Sequence, residues 1–414
     1  MTPRQQEPFG IRYALKVALL FILVSTVLKL ASLTFTHAEP DEVIYWTLAE
    51  HLLASGDYSL QGSQVLDLLS PVIYDRPLFH HPPLFPALLI PFVALNAPHA
   101  AVMLSWLGHA LCILAVALMG YVLLSRRSGD RARLRELFWL VLLGVTLDPL
   151  LIFISRKLWI DSLLAGLVSL SIALVYLAVH RSGARGPASG RLLLWAGVVL
   201  GLAGLAKLPA LLAGVIGLAV IATLSAPWRQ RLRAAAFFTT PVVLLLLPWL
   251  LLFLWTYGVL MPTWLKPDAW ALGNFPLVAE AVGRPWYYYG AKLLLAQPAV
   301  LFLLVLIPGV LRGGARERAV PVLWFLLFLS VATFQGLTGY GFQMRYVAMI
   351  LPSVYVALFC HPLLHGSRRR WAVPVLWGCI FYATLGGSMY FMADRTDEFL
   401  TLWEAFGPLR FGAR

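Results

Sequence analysis

The chain has 414 residues, 60% of them hydrophobic and only 12% charged, with a mean hydropathy of +0.80. A soluble domain carries about 25% charged residues, so this composition excludes an ordinary soluble fold. The net charge of +13 suits basic loops that orient a membrane protein better than it suits a nucleic-acid partner.

In chain order, apolar runs predict transmembrane helices near 13–33, 100–124, 136–154, 159–180, 191–206, 208–224, 236–257, 288–310, 319–337, 345–363 and 371–392. The fold class is therefore an all-α polytopic membrane protein of about eleven spans. The stretch 84–95 is too short to span and holds Pro86 and Pro91, which suits an interfacial helix. Lys207-Leu208-Pro209 breaks 192–224 in the middle and predicts a tight hairpin. Residues 1–392 read as one membrane domain with outer loops at 34–99 and 258–287, and 393–414 as a short outer tail. Basic residues before the first run and Thr36-His37-Ala38 resemble a weak signal-peptide site. Lys29 inside that run, and the run's length, favour an anchor. With the N-terminus in the cytoplasm, the inner segments hold 19 of the 32 lysines and arginines. Every clustered basic loop then falls on one side, provided that 84–95 does not cross and 192–224 crosses twice. Cys112, Cys360 and Cys379 all lie in apolar stretches, where packing is the expected role.

The polar island 38–86 holds seven of the nineteen acidic residues: Glu39, Asp41, Glu42, Glu50, Asp57, Asp67 and Asp75. Carboxylates beside a bilayer need water, a cation or a chemical task. Asp41 and Glu42 follow Pro40 at the start of a helical stretch, where the helix terminus favours the ionised form. Asp41 suits a general base; it equally suits a cap for a helix over 42–54. Next comes Arg76-Pro77-Leu78-Phe79-His80-His81-Pro82-Pro83, whose prolines predict a stiff extended strand with the two imidazoles on different sides. One histidine could contact a phosphate or sugar hydroxyl, or join Asp41 at a metal; wet interface residues without a task are the alternative.

Asp161 begins an apolar helix, where a carboxylate needs a partner, and Arg156 or Lys157 stands near it in sequence. Lys207 at the hairpin tip suits a phosphate or snorkels to the interface. Arg345, in Gly341-Phe342-Gln343-Met344-Arg345-Tyr346, suits a bidentate phosphate contact. The loop 258–287 carries Trp264, Lys266, Trp270, Phe275, Arg284 and Trp286; it reads as a belt of interfacial anchors or as a lid. Carboxylates and three cationic groups thus fall on one face of the membrane. A transporter or flippase of a lipid-linked sugar is the alternative class, but it would place charges at mid-span in paired broken helices.

In order along the chain, Pro40-Asp41-Glu42 with Ala54-Ser55-Gly56-Asp57-Tyr58, His81-Pro82-Pro83-Leu84, Asp161, Ala206-Lys207-Leu208-Pro209, and Arg345-Tyr346 with Leu351-Pro352 resemble the GT-C superfamily of integral membrane glycosyltransferases. The branch is that of the protein O-mannosyltransferases and the aminoarabinose transferase. The resemblance implies an inverting transfer from a polyprenyl-phosphate sugar on the extracytoplasmic face, with a lipid, glycan or protein acceptor. Metal is optional in it; a divalent ion is possible and none is required. It implies Asp41, Glu42 and Asp161 as catalytic, Lys207, Arg345 and His81 near the donor phosphate, and Asp57, His80 and Tyr346 near the sugar. It also implies an integral plasma membrane location, and Leu, Ala and Arg usage suggests a bacterial inner membrane. His80-His81 stands where the aminoarabinose transferase has a Glu-Lys pair, and the resemblance does not extend to the outer C-terminal domain of larger relatives.

Overall fold

A computed structural model of the chain describes residues 10–31, 40–67, 75–125, 127, 130–182, 188–224, 226–258, 285–311, 316–337, 344–365 and 368–392. The aromatic loop beyond 258, the tail 393–414 and parts of the basic loops lie outside the described residues. Within them the fold is helical, without strands. In order the helices are α1 (Ile11–Ala31), α2 (Pro40–Ser55), α3 (Leu84–Ala94), α4 (Pro98–Ala101), α5 (Met103–Ser125), α6 (Arg131–Thr146), α7 (Pro149–Ser155), α8 (Ile160–Ser182) and α9 (Ala188–Ala206). They continue as α10 (Leu212–Ala222), α11 (Trp228–Tyr257), α12 (Tyr288–Ala296), α13 (Val300–Leu311), α14 (Arg316–Leu337), α15 (Leu351–Cys360), α16 (Pro362–His365) and α17 (Arg369–Met392).

Four stretches are long and apolar enough to cross a membrane: Ile11–Leu30, Pro98–Ser125, Ile160–His180 and Trp228–Tyr257. The pair α6–α7 is a fifth if its 45° bend is taken as one broken span. The other expected spans are shorter apolar helices or pairs of them, and three boundaries are corrected. The run 136–154 breaks before Asp148, which caps α7 by accepting the backbone N–H of Leu150 and Leu151, each at 3.0 Å. The run 288–310 breaks at Gln297-Pro298, where proline removes the donor and the preceding residue leaves helical geometry. The run 345–363 opens with a 3₁₀ turn, Met344–Val347, before α15.

The core is built on α8, which packs closely on both α5 and α9; α9 in turn packs on α11. Close approach of α5 and α8 depends on Gly108 and Gly166. A Cβ at Gly108 would sit 2.2 Å from the Ser162 carbonyl oxygen, and one at Gly166 would sit 2.3 Å from the Gly108 carbonyl oxygen. Small residues at such crossings let helix backbones touch and exchange hydrogen bonds. Ser162 Oγ donates to the Ser105 carbonyl at 2.6 Å, and Ser105 Oγ donates to the Trp159 carbonyl at 3.2 Å. The start of α8 is thereby pinned. Helix α1 leaves Leu19, Leu23, Val27 and Leu30 uncovered, and α11 leaves Val243, Leu244, Leu251 and Trp255 uncovered. Such long apolar faces suit lipid.

The chain folds back at Lys207 as the sequence predicts. Lys207 is extended (φ −156°, ψ 124°), a 3₁₀ turn Leu208–Leu211 follows, and α10 leads away. Leu211 lies against Gly204, and Leu200 against Gly214. Helix α3 occupies the expected 84–95 segment and packs on α2.

Candidate functional site

Four ionisable side chains from four separate segments meet at one end of the helical bundle. Asp41 comes from the first turn of α2, Asp161 from the first turn of α8, Lys207 from just past α9, and Arg345 from the 3₁₀ turn before α15. Arg345 Nη2 lies 2.7 Å from Asp41 Oδ2, and Arg345 Nε lies 3.9 Å from Asp161 Oδ2. Lys207 Nζ lies 3.4 Å from Asp161 Oδ1. The Asp161 and Arg345 side chains are only 6% and 7% exposed, whereas Asp41 is 35% exposed. Two carboxylates and two cations therefore balance in a largely buried cluster whose most exposed carboxylate is Asp41. Burial of such charges is tolerated because each has an opposite partner.

Aromatic rings hold the cations in place. The Arg345 guanidinium lies 4.4 Å from the Trp159 ring centroid and 5.5 Å from that of Tyr346, and Lys207 Nζ lies 5.0 Å from the Tyr346 centroid. A stacked guanidinium keeps its in-plane N–H groups free for a bidentate acceptor. Arg345 Nε is buried, faces Asp161 at 3.9 Å and makes no hydrogen bond among the described residues.

Each expected site residue has a definite place. Asp41 lies inside the first turn of a helix that starts at Pro40, not before it, and its carboxylate is spent on Arg345. Glu42 accepts the backbone N–H of Leu158 at 2.5 Å, which ties α2 to the turn that presents Trp159 and Asp161. Asp161 finds its cations on distant segments, at Lys207 and Arg345. His80 and His81 correct the expectation of a splayed extended strand: their rings meet edge to face with centroids 4.3 Å apart. The segment bends, because Phe79 N–H bonds the Tyr58 carbonyl at 2.7 Å and Leu78 N–H reaches Tyr257 Oη at 3.2 Å. The Tyr257 hydroxyl in turn donates to the Leu78 carbonyl. Burial, then the charge of Lys207, holds the His80 imidazole down to about 3; His81 is lowered by burial, His80, Lys207 and Arg345. Both rings are neutral at physiological pH. Asp57 is exposed and accepts the Ser59 hydroxyl at 2.8 Å. The length of α2 holds it roughly 20 Å from Asp41, so it stands apart from the cluster. Among the described residues no group of three His, Cys, Asp or Glu is placed to hold a metal.

Sequence reasoning missed two neighbours of the cluster. Trp159 is buried beneath Arg345, and Tyr45 is buried one turn after Asp41 on the same face of α2. The i, i+4 spacing of Asp41 and Tyr45 was the available signal.

Comparison with solved structures agrees with this architecture. The crystal structure of ArnT from Cupriavidus metallidurans bound to undecaprenyl phosphate superposes with a TM-score of 0.55 at 18% identity, over 89% of this chain and 63% of that one. The apo form of the same enzyme gives 0.56 at 19% identity, over 92% and 66%. The archaeal oligosaccharyltransferase AglB from Archaeoglobus fulgidus, in complex with an inhibitory peptide and a dolichol-phosphate, gives 0.51 at 14% identity, over 92% and 55%. The fold is GT-C. Both enzymes are GT-C glycosyltransferases, and the GT-C fold of this chain spans less than two thirds of their length. No protein-family profile matches the sequence, and no characterised protein matches it at a significant level.

Proposed function

We propose that the chain is an integral membrane glycosyltransferase that moves a sugar from a polyprenyl-phosphate donor to an acceptor hydroxyl, with inversion, at the extracytoplasmic face. The observation that carries this reading is the convergence of Asp41, Asp161, Lys207 and Arg345 from distant segments. Support comes from the GT-C fold, whose compared members include structures bound to undecaprenyl phosphate and to a dolichol-phosphate. In this reading eleven spans place the N-terminus in the cytoplasm of a bacterial inner membrane and the cluster on the outer side. The acceptor is a lipid, a glycan or a protein.

The isoprenoid tail stays in lipid, while the phosphate enters the cluster and takes the Arg345 donors now held by Asp41. Lys207 and Arg345 stabilise the phosphate as it leaves the anomeric carbon. His81 adds a hydrogen bond. Asp41, released by the exchange, removes the acceptor proton as that oxygen attacks from the opposite face. Asp161 holds Lys207 and Arg345 in register, and Glu42 keeps α2 aligned with α8. Tyr346 and His80 border the sugar; Asp57, beyond the end of α2, stands too far from the cluster to join them.

The test is to incubate purified protein with a panel of undecaprenyl-phosphate sugars and follow each by mass spectrometry. Loss of one donor, absent in Asp41→Asn, supports the reading. Consumption of none, or transport of a lipid-linked sugar without cleavage, overturns it.

A further inference from the structure

Tyr45 is 3% exposed and lies one helical turn from Asp41. Its ring packs edge-on against Phe85 at 5.2 Å and stacks on His81 with centroids 6.4 Å apart and an interplanar angle of 29°. The phenol oxygen is 3.3 Å from His81 Nδ1. The titratable groups that act on this pair come from several segments: Asp41 on α2, Tyr58 and His80 on the loop after it, Asp161 on α8, Lys207 after α9 and Arg345 before α15.

These surroundings decide which atom carries which proton. Burial, reinforced by Asp41 and Asp161, keeps the phenol protonated. Burial, reinforced by His80, Lys207 and Arg345, denies His81 a second proton. A protonated phenol has a hydrogen to give, and a neutral imidazole has one bare nitrogen to receive it. Tyr45 Oη–H therefore donates to Nδ1, and the ring proton of His81 resides on Nε2. His81 is only half-buried, and the Nδ1 contact is its hydrogen bond among the described residues. Nε2 makes no hydrogen bond among the described residues.

We propose that Tyr45 is a positioning residue that fixes His81 as the Nε2–H tautomer, so that His81 gives the donor phosphate a neutral hydrogen bond beside the charges of Lys207 and Arg345. This rests on the reading of the cluster as a phosphate site. The consequence is electrostatic. A lysine at position 81 would be a third cation and would give the cluster of Asp41, Asp161, Lys207 and Arg345 a net positive charge. A neutral imidazole contributes direction without charge. The product phosphate, which gains a negative charge on transfer, is then not held by an excess cation.

Two measurements on the full-length protein in detergent test the proposal. The first is the ¹⁵N spectrum of histidine-labelled protein without ligand, with His81 assigned by His81→Gln. Expected is a protonated Nε2 and a bare Nδ1 in the wild type, shifting to a tautomer mixture in Tyr45→Phe. A protonated Nδ1, or a spectrum unchanged by Tyr45→Phe, overturns the proposal. The second is binding of undecaprenyl phosphate against undecaprenol as the neutral control.

Tyr45→Phe and His81→Asn should each weaken phosphate-dependent binding by about 3- to 10-fold, the range for one neutral hydrogen bond. His81→Gln should bind nearly as the wild type, because its amide nitrogen falls near the position of Nε2. Tyr45→Phe should cost nothing further in His81→Gln, since an amide has no tautomer to set. A full loss from Tyr45→Phe in that background shows that Tyr45 acts by packing alone and overturns the proposal. If wild-type protein binds both lipids equally, the phosphate reading fails and the contact fails with it. The spectrum still decides separately whether Tyr45 sets the tautomer.

Discussion

Replacing Asp41 by Asn should have two opposite effects, and their opposition is the diagnostic. The Asp41 carboxylate occupies Arg345 Nη2 at 2.7 Å. A phosphate arriving at the same guanidinium must displace this carboxylate and then stand beside it. Two anions sharing one guanidinium lie roughly 6 Å apart. Their repulsion is then about 0.7 kcal/mol in a water-like medium and about 3 kcal/mol at an effective dielectric of about 20. Asp41 is 35% exposed, which places the pair between these limits, at about 1–2 kcal/mol. Asp41→Asn removes that repulsion and keeps the side-chain shape. Undecaprenyl phosphate, whose monoester carries one to two negative charges, should therefore bind at least about 5-fold more tightly to the variant. Turnover should fall by about 10²-fold or more, the usual scale for a lost general base. Binding is read by titration in detergent, and turnover by mass spectrometry of the consumed donor. Weaker lipid binding in Asp41→Asn refutes the exchange argument, and turnover at the wild-type rate removes Asp41 from the base role.

Gly108→Ala should lower the unfolding midpoint and cut turnover at least about 10-fold. The added methyl needs room that the Ser162 carbonyl occupies at 2.2 Å, and overpacking of this kind costs about 1–3 kcal/mol; a variant with wild-type midpoint and rate would show that α8 does not need this contact. Glu42→Ala should lower the midpoint by an amount corresponding to about 1 kcal/mol, while Glu42→Gln, which keeps an acceptor for Leu158 N–H, should lower it less; equal effects would mean that the hydrogen bond contributes nothing. Acid should destabilise the protein through its histidines. The folded value of His80 is held down to about 3, so the unfolded chain takes up a proton near its ordinary 6.5 while the folded chain does not. The contribution is intact above about 6.5 and is lost as pH falls from there toward about 3. Midpoints measured from pH 7 to pH 4 should drop less in His80→Gln than in the wild type, and parallel curves would refute the assignment.

Much of this architecture was legible in the sequence because its signals are local or depend on a solvent preference. Lys207-Leu208-Pro209 marked the fold-back, since proline cannot continue the helix and lysine seeks the interface. The 84–95 helix was legible from its length. What sequence periodicity cannot show is where a buried polar group interrupts an apolar run. Asp148 is the main case. Its carboxylate is 1% exposed and receives the Gln297 amide at 2.9 Å and the Tyr355 hydroxyl at 2.7 Å, besides the two backbone N–H groups of α7. It fastens three helix segments at the points where two of them break. An Asp-Pro pair inside a run of leucines was a readable sign, because a carboxylate there requires partners. The partners themselves were not readable, being 149 and 207 residues away. The site divides in the same way. The ionisable members stood out as charges at the edges of apolar helices, but Trp159 and Tyr45 looked like core, because an aromatic ring gives no sign of which cation or imidazole it faces.

The charge inventory of the cluster bears on why four ionisable groups occur where one base would serve. Asp41 and Asp161 balance Lys207 and Arg345, so the four largely buried groups are together neutral, and a net charge buried there would be costly. In the proposed reaction a phosphodiester monoanion enters and the pocket becomes singly negative. On transfer the leaving phosphate becomes a dianion, and Asp41 gains the acceptor proton. The carboxylate loses one negative charge as the phosphate gains one. The total is unchanged through the step, so the surroundings need not reorganise to screen new charge, which is the condition under which fixed dipoles and ion pairs are most effective. Without Asp161, two cations would face one carboxylate and the cluster would bind the product dianion too well. Asp161→Asn should accordingly slow product release more than it slows the first turnover. A burst of one equivalent followed by a slow steady state would show this, whereas equal slowing of both phases would assign Asp161 to the chemical step itself.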